Sequence, residues 1–256
     1  MSESRHDPMV LSERNETVLK LTLNRPDKRN SLHPDLVREL SRALEEANSD
    51  DQLAAVLITG AGKSFCAGLD LGLLVQWSAE EKLAYLEKVT SIFAQLWKLR
   101  QPTIAVVNGP AIAGGFDLAA FCDIRLASTD AVFGQAEINL GLVQIIHPLY
   151  KSIGLARAKE LAMTGQNISA EEAYRIGLVN HLYAPEELMP SAEKLAELLA
   201  TRPRRALFET KRLTRELIDL DTDKALSEIG RTFIALLESE EHKKRLAELY
   251  ASLRKQ

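Results

Sequence analysis

Two glycine-bearing turns, roughly fifty residues apart, carry the chemistry this sequence could do. They are Ser64-Phe65-Cys66-Ala67-Gly68-Leu69-Asp70 and Asn108-Gly109-Pro110-Ala111-Ile112-Ala113-Gly114-Gly115-Phe116-Asp117. Each follows an apolar, β-branched run and places glycine where the chain must change direction. Without a Cβ, glycine lets backbone N–H groups come close to a ligand. Two such turns brought together would aim two N–H donors at one oxygen, the arrangement that stabilises an oxyanion. The second turn runs into helical spacing from Phe116 to Cys122, so its donors would also sit at the positive end of a helix dipole.

Two carboxylates lie near these donors in sequence. Asp117 falls in the first turn of the expected helix, where the ordinary use of Asp is capping. Glu137 lies in the weakly charged stretch Phe133 to Gly141, where the ordinary reading is a solvated loop carboxylate. Beside two convergent N–H donors the same groups would be general acid–base residues next to a stabilised anion. That set suits proton movement at carbons adjacent to a thioester carbonyl, through an enolate.

Other chemistries fit less well. Gly60-Ala61-Gly62-Lys63-Ser64 resembles a phosphate loop, but Leu57 stands where the first glycine is required. Gly62 to Cys66 misses a hydrolase elbow, because Cys66 occupies the closing glycine position. Cys66 and Cys122 are the only cysteines; Cys66 reads as a small buried filler rather than a nucleophile, and so few cysteines imply a reduced, cytoplasmic setting. The five histidines show no ligand spacing, so no metal is expected.

The composition of the 256 residues, 46% hydrophobic and 27% charged, is that of an ordinary globular protein. A formal net charge of −4 with scattered Lys and Arg gives no attraction to nucleic acid or to an anionic membrane. No apolar stretch approaches a membrane span, Met1 to Pro8 is polar with no signal-peptide core, and Leu253 to Gln256 is not a peroxisomal address.

The elements that must position these residues alternate. Thr17 to Leu23 reads as a strand, Pro34 to Ala47 as an amphipathic helix, and Ala54 to Thr59 as a buried strand. Ala79 to Leu99 reads as a long helix, with Trp77, Phe93 and Trp97 as core or pocket wall; Thr103 to Asn108 and Ile124 to Ala127 read as strands. This order predicts an α/β fold with parallel strands. From Leu155 onward nearly all is helical: 155–163, 170–176, 186–200, 204–218 and 224–250, with Leu178 to Tyr183 the one strand. The expected division is an α/β core over residues 1–195 and a helical region over 196–256. The latter cannot bury its apolar faces alone, which implies an oligomer.

The chain resembles the crotonase (enoyl-CoA hydratase/isomerase) family from about residue 15 onward. The resemblance rests on Asn24-Arg25-Pro26 with Lys28-Arg29-Asn30, on Phe65 to Leu71, on Val107 to Ala111, on Cys122-Asp123-Ile124-Arg125, on Phe133-Gly134-Gln135, on Ser169 to Ala173 and on Gly177 to Asn180. It implies a spiral of ββα turns with a C-terminal helical trimerisation region, forming a homotrimer or a homohexamer built as a dimer of trimers. It also implies an acyl-CoA thioester substrate, with no cofactor beyond the CoA that the substrate carries. Carried over by position, the oxyanion donors would be the N–H groups of Leu69 and Gly114. Glu137 and Asp117 match the two acids that flank the double bond in hydratases. The adenine-contacting loop corresponds to Cys66, Ala67, Gly68 and Asp70. Lys28 and Arg29 form a basic turn suited to a phosphate. Lys211 and Phe233 stand where relatives touch the CoA nucleotide across a subunit boundary; the plain alternatives are a solvated lysine and a core phenylalanine.

Three departures from the family pattern stand out. Asp117 is one methylene shorter than the usual Glu, withdrawing its carboxyl by about 1 Å, enough to cost on the order of a hundredfold in rate. The glycine-rich segment after Glu137 is replaced by the shorter Gln144 to Tyr150, so Ile145, Ile146 and Tyr150 imply an altered, apolar acyl pocket. Ala113 replaces a glycine, read as a mild change at a position with no need of positive φ. The resemblance implies hydration of a trans-2-enoyl-CoA. The alternatives are double-bond isomerisation (Δ3-Δ2 or dienoyl), with Glu137 as a single shuttle in the simple case, and a non-catalytic acyl-CoA binder.

Overall fold

The computed structural model describes residues 7–253; the readings of the first six residues and of the last three lie outside the described residues. The chain opens with an antiparallel hairpin, β1 (Val10–Asn15) and β2 (Val18–Leu23). Next, α1 (Pro34–Ser49) starts with Pro34 in its first turn and the His33 side chain accepting from the Asp35 amide, a capping arrangement. It buries Leu36, Val37, Leu40, Ala43, Leu44 and Ala47. Strand β3 (Ala55–Gly60) then pairs parallel to β2.

Helices α2 (Leu71–Gln76) and α3 (Ala79–Lys98) follow, the latter opened by a capping box between Ser78 and Glu81. Then come β4 (Thr103–Val107), β5 (Ala111–Ile112), α4 (Gly114–Ala120), β6 (Ile124–Ser128) and β7 (Val132–Gly134). The remainder holds α5 (Leu149–Ile153), α6 (Leu155–Thr164), β8 (Asn167–Ser169), α7 (Ala170–Arg175), β9 (His181–Tyr183), α8 (Pro185–Ala200), α9 (Arg204–Glu216), α10 (Thr222–Leu237) and α11 (Glu240–Leu253).

The main sheet runs β1-β2-β3-β4-β6-β9, parallel from β2 onward, and a small second sheet runs β5-β7-β8. All six residues of β3 are buried, which is why its sequence is a continuous apolar run. Alternate residues serve opposite faces: Val56 and Ile58 join the larger core with α1 and α3, while Ala55 and Leu57 pack with Leu188, Ala192 and Ala196 of α8. The α/β fold with parallel strands stands as expected.

Several elements differ from the sequence reading. Helix α8 is continuous across residues 195 and 196, and Ala196 is buried on the sheet. The helix expected over 224–250 is two helices, because Ser239 breaks the run and its Oγ accepts from the His242 amide at 3.2 Å, starting α11. Residues 178–183 give only the three-residue β9, and β8 is a second strand in the later half. Neither α10 nor α11 buries a single residue.

Candidate active site

Residues 65–69 and 110–114 lie side by side because their backbones pair. The Phe65 and Cys66 amides donate to Pro110 O at 3.1 and 3.2 Å, and Ile112 donates to Cys66 O at 3.0 Å. The side chain of Asn108 ties the preceding loops together, donating to Gly60 O and Gly62 O at 2.9 Å each and accepting from the Gly60 amide. Contact is so close that a Cβ at Gly115 would stand 2.0 Å from Cys66 O, and one at Gly68 would stand 3.0 Å from the Gly114 nitrogen. Gly68 also has a φ of +84°. Glycine is required at both places by space, and at Gly68 by backbone angle as well.

Most amides around this junction have acceptors: Ala67 donates to Arg29 O, Leu32 to Gly68 O and Ala113 to Gly134 O. Among the described residues, the N–H groups of Leu69 and Gly114 donate to no acceptor in the chain. Gly114 is the first residue of α4, where the helix leaves its own donors unpaired. The residue before it is the exception to expectation. Ala113 has φ +54° and ψ −127°, a region where a side chain is strained, so the position does need positive φ and the change from glycine is not mild.

Helix α4 carries Asp117 inward at 2% exposure, with no capping role. Burial, and then the charge of Glu137, hold the Asp117 carboxyl well above the usual carboxylate range, against the opposing effect of a hydrogen bond from Gln135. Glu137 opens a short 3-10 turn, Glu137–Leu140, and is half-buried rather than a solvated loop group. Burial pushes its carboxyl up to about 7. Two acids that interact and both resist ionisation are a pattern of functional sites. The site also contains Gln144, whose Nε2 donates to Glu137 Oε2.

Ile145, Ile146 and Tyr150 are partly buried and pack on the larger core, and Gln135 Nε2 reaches Ile145 O at 3.3 Å. Phe93, Trp97 and Phe121 form an aromatic cluster, with Phe93 stacked on Phe121 at 5.3 Å, and Trp77 meets Tyr85 edge-on. Lys28 and Arg29 are exposed, beside the Cys66–Asp70 turn through the Ala67–Arg29 bond. Asp70 is held by Arg25 at 2.5 Å; burial alone would raise its carboxyl, but the Arg25 bond and charge bring it below the usual range.

One of the expected CoA contacts, Lys211, takes a different place. Lys211 is neither solvated nor available: its Nζ bonds Asp123 Oδ2 at 2.7 Å, Gln101 O at 2.9 Å and Leu96 O at 3.3 Å, which engages all three donors inside the chain. Phe233 is 61% exposed on α10, so it is not a core residue. Cys66 is fully buried and its thiol is pushed up to about 12, leaving it no nucleophilic role; only its backbone lies at the turn. Sequence reading missed Arg25, Asn108, Gln135 and Gln144 as site-builders. All but Gln144 fall in the segments that carry the family resemblance, which was the one signal available.

The fold agrees with comparison to known proteins. A model of the enoyl-CoA hydratase/isomerase family matches residues 13–255. The chain is 36% identical over 238 residues to the short-chain-enoyl-CoA hydratase of Clostridium acetobutylicum, covering 91% of each. It is 36% identical over 222 residues to the crotonyl-CoA hydratase of Syntrophomonas wolfei, covering 85% of each. The crystal structure of an enoyl-CoA hydratase from Bacillus anthracis superposes with a TM-score of 0.91 at 31% identity, over 97% of each chain. That of an enoyl-CoA hydratase from Mycobacterium smegmatis gives 0.92, also at 31% identity, over 96% of this chain and 97% of that one. The chain belongs to the enoyl-CoA hydratase/isomerase family, with the crotonase fold.

Proposed function

We propose that this chain is an enoyl-CoA hydratase that adds water across the double bond of a trans-2-enoyl-CoA. The observation that carries the reading is the placement of two raised, interacting carboxyl groups, Asp117 and Glu137, around a junction that offers two unengaged amides. The thioester oxygen lies between the N–H groups of Leu69 and Gly114. As water oxygen bonds to C3, the π electrons move toward that oxygen and the enolate forms, held by the two donors and by the N-terminal end of α4. Glu137 gives a proton to C2 and, with Asp117, orients the water and takes its proton, so that the pair ends with the number of protons it began with. The reaction needs no metal, and the only CoA is the one on the substrate.

Recognition of CoA falls to the backbone from Cys66 to Asp70 and to the exposed cations of Lys28 and Arg29, which suit phosphate oxygens. Ile145, Ile146 and Tyr150 line the acyl side. Relatives named for short-chain and crotonyl substrates support a short acyl chain. The test is loss of the conjugated thioester absorbance with short trans-2-enoyl-CoAs, for wild type and Glu137→Gln. The variant is expected to lose at least about a hundredfold in kcat; equal rates would remove Glu137 from the chemistry.

One observation favours a second reading. Asp117 is enclosed and its carboxyl is pushed well above the usual carboxylate range, which favours Glu137 as the carboxylate that shuttles a proton between C2 and C4 in a double-bond isomerisation. Asp117→Asn separates the two, because a hydratase should collapse and a one-base isomerase should keep most of its activity.

A further inference from the structure

The segment that follows Glu137 is held in an unusual way. Leu142 donates to Glu137 O at 3.1 Å and Tyr150 to Ile146 O at 3.2 Å, but no backbone amide from Val143 to His147 has an acceptor among the described residues. Two glutamine side chains hold it instead: Gln135 on Ile145 O, and Gln144 on the Glu137 carboxylate. Four side-chain atoms among the described residues are buried without a hydrogen-bond partner, and two of them are the Oε1 atoms of these same glutamines. A buried, unmatched acceptor is costly, and in native proteins it marks a place where something else is decided.

We propose that Gln144 is a positioning residue for Glu137: its amide fixes the orientation of that carboxylate and biases the proton shared by the two acids toward Asp117. The physics is direct. An N–H donor favours the charged form of the group it touches, and this donor lies on Glu137 and not on Asp117. Because the amide also carries an acceptor, a half-turn about its last torsion would bring Oε1 against Glu137 when that group takes up the proton. Gln144 can therefore serve both protonation states of one acid, which neither a leucine nor a carboxylate could do.

The other groups around Glu137 leave this role open. Asp117, from α4, is raised by the charge of Glu137 and takes a hydrogen bond of its own from Gln135, which opposes the bias that Gln144 gives. On α6, packed beside the 3-10 turn, Arg157 and Glu160 pair with each other and Lys159 is exposed. His147 turns its ring to Trp97 and Tyr150, at 5.9 and 5.8 Å between centroids.

What the proton is used for rests on the hydratase reading; where it resides does not. The test is a pH titration of the glutamate carboxyl band by isotope-edited infrared spectroscopy on substrate-free protein, with Glu137→Gln identifying the Glu137 signal. Gln144→Met, which removes the donor at similar volume, should move the Glu137 midpoint up by about one pH unit. Gln144→Glu keeps the shape and replaces the donor by a like charge, so it should move the midpoint up at least as far; it also covers the case in which the methionine variant does not fold. A Glu137 midpoint unchanged in either folded variant overturns the proposal. Hydration of a short enoyl-CoA is measured separately: its absence in wild type would remove the hydratase reading and leave the titration result standing.

Discussion

A carboxyl group that must hand a proton to carbon near neutral pH cannot keep its ordinary acidity, and here burial alters it at two neighbouring positions. The consequence extends to stability. The unfolded Asp117 ionises in the usual carboxylate range, while the folded one retains its proton to much higher pH. Folding therefore binds an extra proton in that window, and stability is lost as pH rises through it. Asp117→Asn removes this loss, so the variant should melt above wild type by a margin that widens as pH rises above the usual carboxylate range, while losing about a hundredfold or more in hydration rate. A melting difference that stays constant over that rise would show that Asp117 is not held protonated. The two acids were legible in the sequence because they are rare charges in apolar stretches beside glycine turns. Gln144 was not legible, since a side-chain bond across a loop leaves no period and no characteristic spacing.

At the scale of elements, the site depends on how closely α4 is drawn against the 65–69 turn. Gly115→Ala forces a Cβ to within 2.0 Å of Cys66 O, a backbone atom that cannot turn away. It should cost about 3 kcal/mol of stability and most of the activity. Gly114→Ala meets chiefly the Leu32 Cδ1 at 3.2 Å, a side chain that can rotate, and should cost far less. Ala113→Gly should act in the opposite direction, relieving strain of about 1 kcal/mol and raising Tm by a few degrees. Thermal denaturation of the three variants checks this order. The strands of the main sheet from β2 to β6, α1 and α3 were readable because their apolar spacing is long and regular. Short pieces such as α2, β5, β7 and β8 were not, because each is fixed by what it packs against. Ala113 misled for the same reason: a residue's type does not disclose its backbone angle when tertiary contacts impose it.

For the whole molecule, the C-terminal helices raise the question of what covers them. Phe233 and Ile234 on α10 and Leu249 and Tyr250 on α11 are each about 60% exposed, and a cleft of about 400 Å³ opens between α9, α10 and α11. Exposed apolar surface on this scale marks an interaction site, and the expectation for it is the homotrimer or pair of trimers that the family resemblance implies. Multi-angle light scattering should give a mass of three or six times 28.4 kDa, and Phe233→Asp together with Ile234→Asp should lower it; a monomeric wild type would refute the expectation. The expectation of a partner for this region rests on its amphipathic spacing, which did not disclose individual contacts, as Lys211 illustrates by turning inward to Asp123. The enclosure of both cysteines has a practical side. Cys66 and Cys122 are pushed up to about 12, and the sequence holds no other sulfhydryl. A colour reagent for free mercaptans should thus stay blank on the native enzyme, yet register any coenzyme split off a thioester. One cuvette could then tell true hydration, which keeps the thioester whole, from hydrolysis, and the late arrival of two equivalents of colour on heating would time the opening of the core.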